Sequence, residues 1–412
     1  MTRSPVWHAF TQHGLNEPIP LIARGEGAWL YADDGKKWLD CISSWWVTTH
    51  GHCHPKIMAA IRAQTEALDQ LIFAGWTHEP AEQLARTLVR LAPEPLEYCF
   101  FSDSGSTSVE VALKMALGYW RNRREPRHRI IVMEHSYHGD TIGAMSIGAR
   151  GVFNQAYSPL LFEVDTVPFP VGNGQATLDA LTALCRQKPA AFIVEPLVCG
   201  AGGMLMYPAI ILAEMRAICA RHGVLFILDE VMTAWGRTGT LFACQQATIA
   251  PDIMCLSKGL SGGSLPLAVT LATDAIYDAH YSTSRADMFY HSSSYTANPI
   301  SCAAANANLE IWAQEPVHER IAALTERQSA QLAALSSPKL TNKRQCGTIT
   351  AMDVVSDTPG YLDDIGPRMA AALRARGLLL RPMGNVIYVM PPYCVTAEEL
   401  DLVYSAIADV VG

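Results

Sequence analysis

Val224–Gly263, VLFILDEVMTAWGRTGTLFACQQATIAPDIMCLSKGLSGG, holds two apolar runs of strand length, VLFIL and DIMCL. Each closes on one charged residue: Asp229 after the first, Lys258 after the second. In open α/β sheets ligands bind in the crevice outside the carboxyl ends of the strands. A carboxylate and an amine delivered there by separate strands suit an aldehyde cofactor with a basic ring nitrogen.

Similar runs lie on both sides of this stretch. YCFFS (98–102), RIIVM (129–133), LFEVDTV (161–167), AAFIV (190–194) and LAVTLA (267–272) join the first two, with helical patterns between most of them. Near-continuous apolar strands separated by helices predict an α/β fold: a mostly parallel seven-stranded sheet with helices on both faces. Helices are expected from Ser106-Thr107-Ser108 onward, over 209–222 and over 298–313. After about Trp312, helical stretches at 316–335 and 362–376 surround the β-like pieces GTITAMDVV, LLLRP and NVIYVMPP, a smaller α+β domain.

At the other end, residues 1–23 form an arm, and GAWLYADDGKKWLD (27–40) alternates around Asp34-Gly35 as a hairpin does. ISSWWVTTHGHCHPKI then leads into a helix over 57–70, with His54-Pro55 at its start. The expected division is an arm and hairpin (1–50) packing with the small domain, a large domain (51–312) and a small domain (313–412).

The residues just beyond each apolar run carry the chemistry. YCFFS leads into Asp103-Ser104-Gly105-Ser106-Thr107 and then a helix, where backbone N–H groups and hydroxyls can meet a phosphate. Ser or Thr before a helix is more often an ordinary N-cap. RIIVM is followed by EHSYHGDT, which brings Tyr137, His138 and Asp140 to the same rim, and AAFIV by Glu195-Pro196. Pyridoxal phosphate needs a lysine amine, an acid for its ring nitrogen, a phosphate cup and a stacking side chain. Lys258, Asp229, Gly105-Ser106 and Tyr137 are the candidates for these four parts.

Composition narrows the partners. Half the residues are hydrophobic and only 17% are charged, which is globular rather than disordered. With 31 Lys+Arg against 39 Asp+Glu and no long basic run, nucleic acid is excluded as an expected partner. Eleven cysteines without a CxxC pair suit a reducing cytoplasm and predict no disulfide framework. The N-terminus lacks the apolar core of a signal peptide, and the most apolar stretch is broken by Glu195, prolines and glycines, so no membrane span is expected. His50-Gly51-His52-Cys53-His54 resembles a metal cluster, but alternate residues of one extended segment face one side and cannot converge as zinc ligands do. No metal is expected, and neither His135 nor His138 is expected to be catalytic.

LDEVMTAWGRTG, with SKG placing Lys258 29 residues after Asp229, resembles the signature of the class III aminotransferases, pyridoxal phosphate enzymes of fold type I. SGSTSVEVALKMA, YHGDT, VEP and ANPISCAAA occur in that family's order, so the resemblance covers nearly the whole chain. It implies that Lys258 links the cofactor and moves the proton between Cα and C4′. Asp229 would pair with the ring nitrogen, Gly105 and Ser106 with the phosphate, and Tyr137 and Val231 with the two ring faces. The resemblance also implies a homodimer with sites at the interface, and HSSSYTANP sets Ser294 where a Thr reaches the neighbour's phosphate.

Four further stretches, Trp7-His8 with F-T, SSWWVTTHG, GAGGMLMY and LLLRPMGNVIYVMPPY, resemble the branch of the class that works in biotin synthesis. That resemblance implies amination of 8-amino-7-oxononanoate, with S-adenosylmethionine as amino donor. Arg381 would hold the keto-acid carboxylate, and Phe10, Trp45, Trp46 and Tyr388 would form the pocket walls. Phe10 departs from the Tyr common there, and Cys199 from a common Gln. The alternatives are an ω-amino-acid or amine:pyruvate transaminase of the same class, an aminomutase, and a catalytically inactive structural relative, which Lys258 and Asp229 disfavour.

Overall fold

The computed structural model describes residues 4–412. Its central sheet has seven strands in the spatial order Leu96–Ser102, Ala268–Thr273, Ile253–Leu256, Leu225–Asp229, Ala191–Val194, Ile130–Met133, Asp165–Val167. All neighbours are parallel except Ala268–Thr273, which runs antiparallel to the strands on both its sides. The inner strands are buried along their whole length, which is why they read as unbroken apolar runs.

Alternate side chains enter two separate cores, as the two-residue period of a strand requires. Ile131, Met133, Phe192, Val194, Phe226 and Leu228 belong to one cluster, which also takes Ile211, Leu212 and Met215 of the helix Ala209–His222. Ile130, Val132, Ile193, Ile227 and Cys255 belong to the other, under Val109, Ala112 and Ala116 of the helix Gly105–Asn122. The site therefore stands on a rigid floor covered on both faces.

Two boundaries move from the sequence-based expectation. Of 161–167 only Asp165–Val167 is strand, because its neighbour Ile130–Met133 is short and pairs only from Ile131↔Asp165 to Met133↔Val167. The LLLRP segment does not join the C-terminal sheet; Leu378–Leu379 pairs in parallel with Lys37–Asp40 of the N-terminal hairpin. The C-terminal three-stranded sheet instead uses Leu340–Cys346, Ile349–Val354 and Val386–Val389. Its first strand, LTNKRQC, is a polar edge strand with an irregular register between Thr341 and Arg344, and so lacks the alternation that marks a strand.

Candidate active site

A cavity of about 370 Å³ opens at the carboxyl ends of the central strands. Asp229, the last residue of its strand, and Lys258, which begins the turn Lys258–Ser261 after the next strand, both line it. Gly105, Ser106, Tyr137, Val231, Phe10, Trp45, Trp46 and Arg381 line it too. Tyr388 and Ser294 do not.

The helix Gly105–Asn122 begins at the cavity. The Ser104 hydroxyl accepts the Thr107 N–H at 3.2 Å while the Thr107 hydroxyl accepts the Ser104 N–H at 2.9 Å, a reciprocal cap. Ser104 is thus used by the helix itself, which leaves the first-turn amides of Gly105 and Ser106 for an anion. The space is closely bounded: a Cβ at Gly105 would stand 2.6 Å from Val231 Cγ1, and one at Gly139 would stand 2.0 Å from Ser106 Oγ. Gly139 also has φ +127°, a conformation that only glycine adopts freely.

Asp229 is buried and held at both oxygens. Oδ1 accepts the Val231 N–H at 3.0 Å, and His138 Nδ1 lies 2.7 Å from Oδ2. A carboxylate only accepts, so Nδ1 is the donor and His138 Nε2 is left buried without a partner. His138, placed at this rim by the sequence and not expected to be catalytic, braces the acid. The YHGD spacing that brings Tyr137 to the rim was the available signal.

Lys258 adopts φ +47°, left-handed for a residue with a side chain, and its Nζ stands 5.1 Å from the centre of the Trp46 ring. Burial lowers the pKa of its amine, opposed by the Asp229 and Glu195 carboxylates. Glu195, also buried and lining the cavity, accepts the Tyr137 N–H and the Gly200 N–H, each at 3.0 Å. Burial raises its carboxyl to about 7, partly countered by His138. Glu195 thereby sets the position of Tyr137, a role no local pattern in the sequence indicates.

The Trp46 wall of the cavity is strained. Ser43, Ser44 and Trp46 all have positive φ, 52°, 60° and 66°. Such a run persists only where surroundings over-determine it. Buried Asp40 accepts the Ile42 and Ser44 N–H groups at 3.2 and 2.8 Å and the Ser44 hydroxyl at 3.1 Å. Arg237, also buried, donates to the Trp46 and Thr48 carbonyls at 3.4 and 3.0 Å and to the Pro391 carbonyl at 3.1 Å. Neither residue was singled out from the sequence. Asp40 acts on a loop with no regular period, and Arg237 on backbone distant in the chain.

Trp46 is buried and donates its indole N–H to the Tyr388 hydroxyl at 3.1 Å. Tyr388, expected as part of the pocket wall, stands one layer behind it and orients Trp46. Trp45 is 42% exposed, and the Arg381 guanidinium lies 4.9 Å from its ring centre and 5.5 Å from that of Phe10. Arg381 also donates to the Tyr361 hydroxyl at 3.2 Å. Cys199 is buried in the short strand Val198–Cys199 and does not line the cavity. Ser294 is exposed and does not line the cavity.

An amine, a braced acid and an anion-binding helix start, with room bounded by Tyr137 and Val231, fit the donor set that pyridoxal phosphate requires. The arrangement can hold a phosphate, keep a ring nitrogen protonated and present an amine whose pKa burial lowers.

Known proteins agree with this reading. The family model for class-III aminotransferases matches residues 11–411. A Synechococcus elongatus protein named adenosylmethionine-8-amino-7-oxononanoate aminotransferase is 50% identical, the match covering 98% of this chain and 97% of that one. The enzyme of the same name from Geobacter sulfurreducens is 38% identical, over 97% and 94% of the two chains. Among solved structures, an adenosylmethionine-8-amino-7-oxononanoate aminotransferase from Methanocaldococcus jannaschii superposes with a TM-score of 0.95 at 34% identity, covering 99% and 96%. An amine transaminase from an uncultivated Pseudomonas, in its PLP-bound form, gives 0.90 at 33% identity, covering 100% and 99%.

Proposed function

We propose that this chain, which belongs to the class-III aminotransferases, transfers an amino group from S-adenosylmethionine to 8-amino-7-oxononanoate, forming 7,8-diaminononanoate in biotin synthesis. It is an aminotransferase and its cofactor is pyridoxal phosphate. The observation that carries the substrate assignment is Arg381, half-buried between Phe10 and Trp45 at the cavity wall, making no ion pair among the described residues. An arginine so presented suits the carboxylate of a long keto acid, whose apolar chain would lie along Trp45 and Trp46.

When bound, pyridoxal phosphate supplies an aldehyde that takes up the substrate amine and a protonated ring that accepts the electrons of the Cα–H bond. The chain's own residues do the rest. Gly105 and Ser106 would hold the phosphate, Tyr137 and Val231 would bracket the ring, and Asp229, braced by His138, would keep the ring nitrogen protonated. Lys258 would carry the cofactor between turnovers, and its amine, whose proton affinity burial lowers, would remove the proton from the substrate Cα. Arg381 orients the acceptor, and Trp46, fixed by Tyr388, excludes water from the reacting carbon.

We read the working unit as a homodimer in the cytoplasm. Exposed Trp76, Tyr281, Tyr290 and Tyr295 give the apolar surface such a contact needs, and Ser294, next to Tyr295 in sequence, would reach the partner's phosphate site. No helix among the described residues is long and apolar enough to cross a membrane.

The test is a donor comparison. Purified protein is given S-adenosylmethionine, lysine or alanine separately, and loss of the visible absorbance of the lysine-bound cofactor is followed, then its return on adding 8-amino-7-oxononanoate. S-adenosylmethionine should cause the loss and the keto acid the return. Phe10, which brings no hydroxyl to the donor side, favours the amine:pyruvate alternative; loss with alanine and return with pyruvate, but not with the keto acid, would establish it instead.

A further inference from the structure

The HGHCH stretch leaves one histidine with no role in the site so far. His52 pairs with Asp40 at 2.9 Å, and His54 lies 3.6 Å from Glu315. His50 is buried, with Nε2 2.9 Å from Asn308 Oδ1. Asn308, fully buried on the helix Pro299–Gln314, donates from Nδ2 to the Gly259 and Leu260 carbonyls, each at 3.0 Å. Those two carbonyls belong to the turn that begins with Lys258.

The hydrogen-bond directions are fixed by elimination. Carbonyls only accept, so the nitrogen of the Asn308 amide must face the turn, where both its hydrogens are used. Its oxygen then faces His50 and can only accept, so His50 Nε2 carries the proton. The other ring nitrogen, Nδ1, is buried without a partner. Charging the ring would put an unpaired N–H there, beside His54 and Arg320, with Glu315 the opposing charge; burial and His54 lower its pKa to about 3. His50 is a neutral donor of fixed tautomer throughout the physiological range.

The turn needs such a clamp. Lys258 is held at φ +47°, and Gly259 is packed so closely that a Cβ would stand 2.9 Å from Thr49 Cγ2 and from Trp235 Cβ. His50 is held in turn by its neighbours: a Cβ at Gly51 would stand 2.7 Å from Cys394 Sγ, and the Trp312 and Tyr393 rings stand edge-on at 5.7 and 6.3 Å.

We propose that His50, acting through Asn308, is a positioning residue for Lys258: it locks the Lys258–Ser261 turn and so fixes where the lysine amine stands in the cavity. The proposal rests on the assignment of Lys258 as the residue that links the cofactor and moves the proton.

The experiment compares His50→Ala, His50→Gln and Asn308→Ala with the wild type. Gln keeps an N–H donor near the place of Nε2. The first readout needs no turnover: the rate at which protein stripped of cofactor regains the visible band on adding pyridoxal phosphate, measured across pH, reports the neutral fraction of the Lys258 amine. In His50→Ala and Asn308→Ala the amine gains water, so the midpoint of that profile moves up and the rate at neutral pH falls. In His50→Gln both stay near wild type. The second readout is turnover: kcat falls about tenfold to a hundredfold, the scale of a small misplacement of a reacting group, while KM for both substrates is nearly unchanged. A His50→Ala protein that melts lower but keeps its pH midpoint and kcat overturns the proposal, and so does a Gln variant no better than Ala. If His50→Ala does not fold, Asn308→Ala is judged by the same criteria. Lys258→Ala tests the underlying assignment separately: if it keeps the band, that assignment falls and the proposal with it, whereas a wild-type band lost in Lys258→Ala with all His50 and Asn308 variants unchanged overturns the proposal alone.

Discussion

Glu195→Gln probes the balance between charge and hydrogen bonding at the buried end of the site. In the wild type the two carboxylate oxygens each accept one backbone N–H, from Tyr137 and from Gly200. Gln offers one acceptor and one donor, so one of those N–H groups is left facing another donor, at a cost of about 1–3 kcal/mol. Against that stands the burial of charge. The Glu195 carboxyl is raised from an ordinary value of 4.5 to about 7, and at about 1.36 kcal/mol per pH unit this gap corresponds to roughly 3 kcal/mol. A raised acid binds its proton more tightly when folded than when unfolded. Its stabilising contribution is therefore whole below pH 4.5 and is lost as the pH rises through about 7. Gln does not titrate, so the variant lacks this loss. Urea unfolding of the cofactor-free protein should find Glu195→Gln about 1 kcal/mol or more less stable than wild type near about pH 5. The variant should be level or more stable near about pH 8, with the difference swinging by about 3 kcal/mol. A difference independent of pH across that window would refute the reasoning, because it would mean that Glu195 has the same proton affinity in the folded and unfolded chains.

Gly139→Ala places a Cβ against Ser106 Oγ at a φ that only glycine adopts freely; pyridoxal phosphate should bind about tenfold or more weakly by absorbance titration, since a strained site costs on the order of 1–3 kcal/mol. His138→Leu leaves Asp229 its Val231 N–H bond but removes the charge-assisted one. With about 1.5–3 kcal/mol lost at the acid, kcat should fall about tenfold to a hundredfold, and the pH range in which the ring nitrogen stays protonated should narrow on its alkaline side. Arg381→Ala should raise KM for the keto acid by about tenfold or more, as loss of a charged hydrogen-bonding partner does, with KM for the donor little changed; equal effects on both substrates would argue for a different carboxylate anchor.

The residues proposed to carry the chemistry were readable because of where they sit on the strands. A strand buried on both faces must be apolar, so the first charged residue after its apolar run marks the point where it reaches the crevice; Asp229 stands out after VLFIL and Lys258 after IMCL for that reason. The same logic found the seven-stranded sheet, and it failed where burial is one-sided or absent. LTNKRQC is an edge strand with exposed polar residues, and 161–164 read as strand although its short neighbour leaves it nothing to pair with.

The residues that hold the reacting groups in place were not readable, and the main reason is sequence distance rather than weak chemistry. His50 reaches Asn308 across 258 positions, Trp46 reaches Tyr388 across 342, and Arg237 reaches the Trp46 carbonyl across 191. Nothing local to HGHCH or GRTG distinguishes a brace from a loop residue. The backbone gives a further sign once it is known: Ser43, Ser44, Trp46 and Lys258 all take positive φ without being glycine. Each costs the fold on the order of 1–3 kcal/mol, so each must be held by something strong, and buried Asp40, Arg237 and Asn308 are what hold them. Strained backbone at Lys258 and at the Trp46 wall therefore identifies the bracing residues, which strand-end chemistry alone passes over.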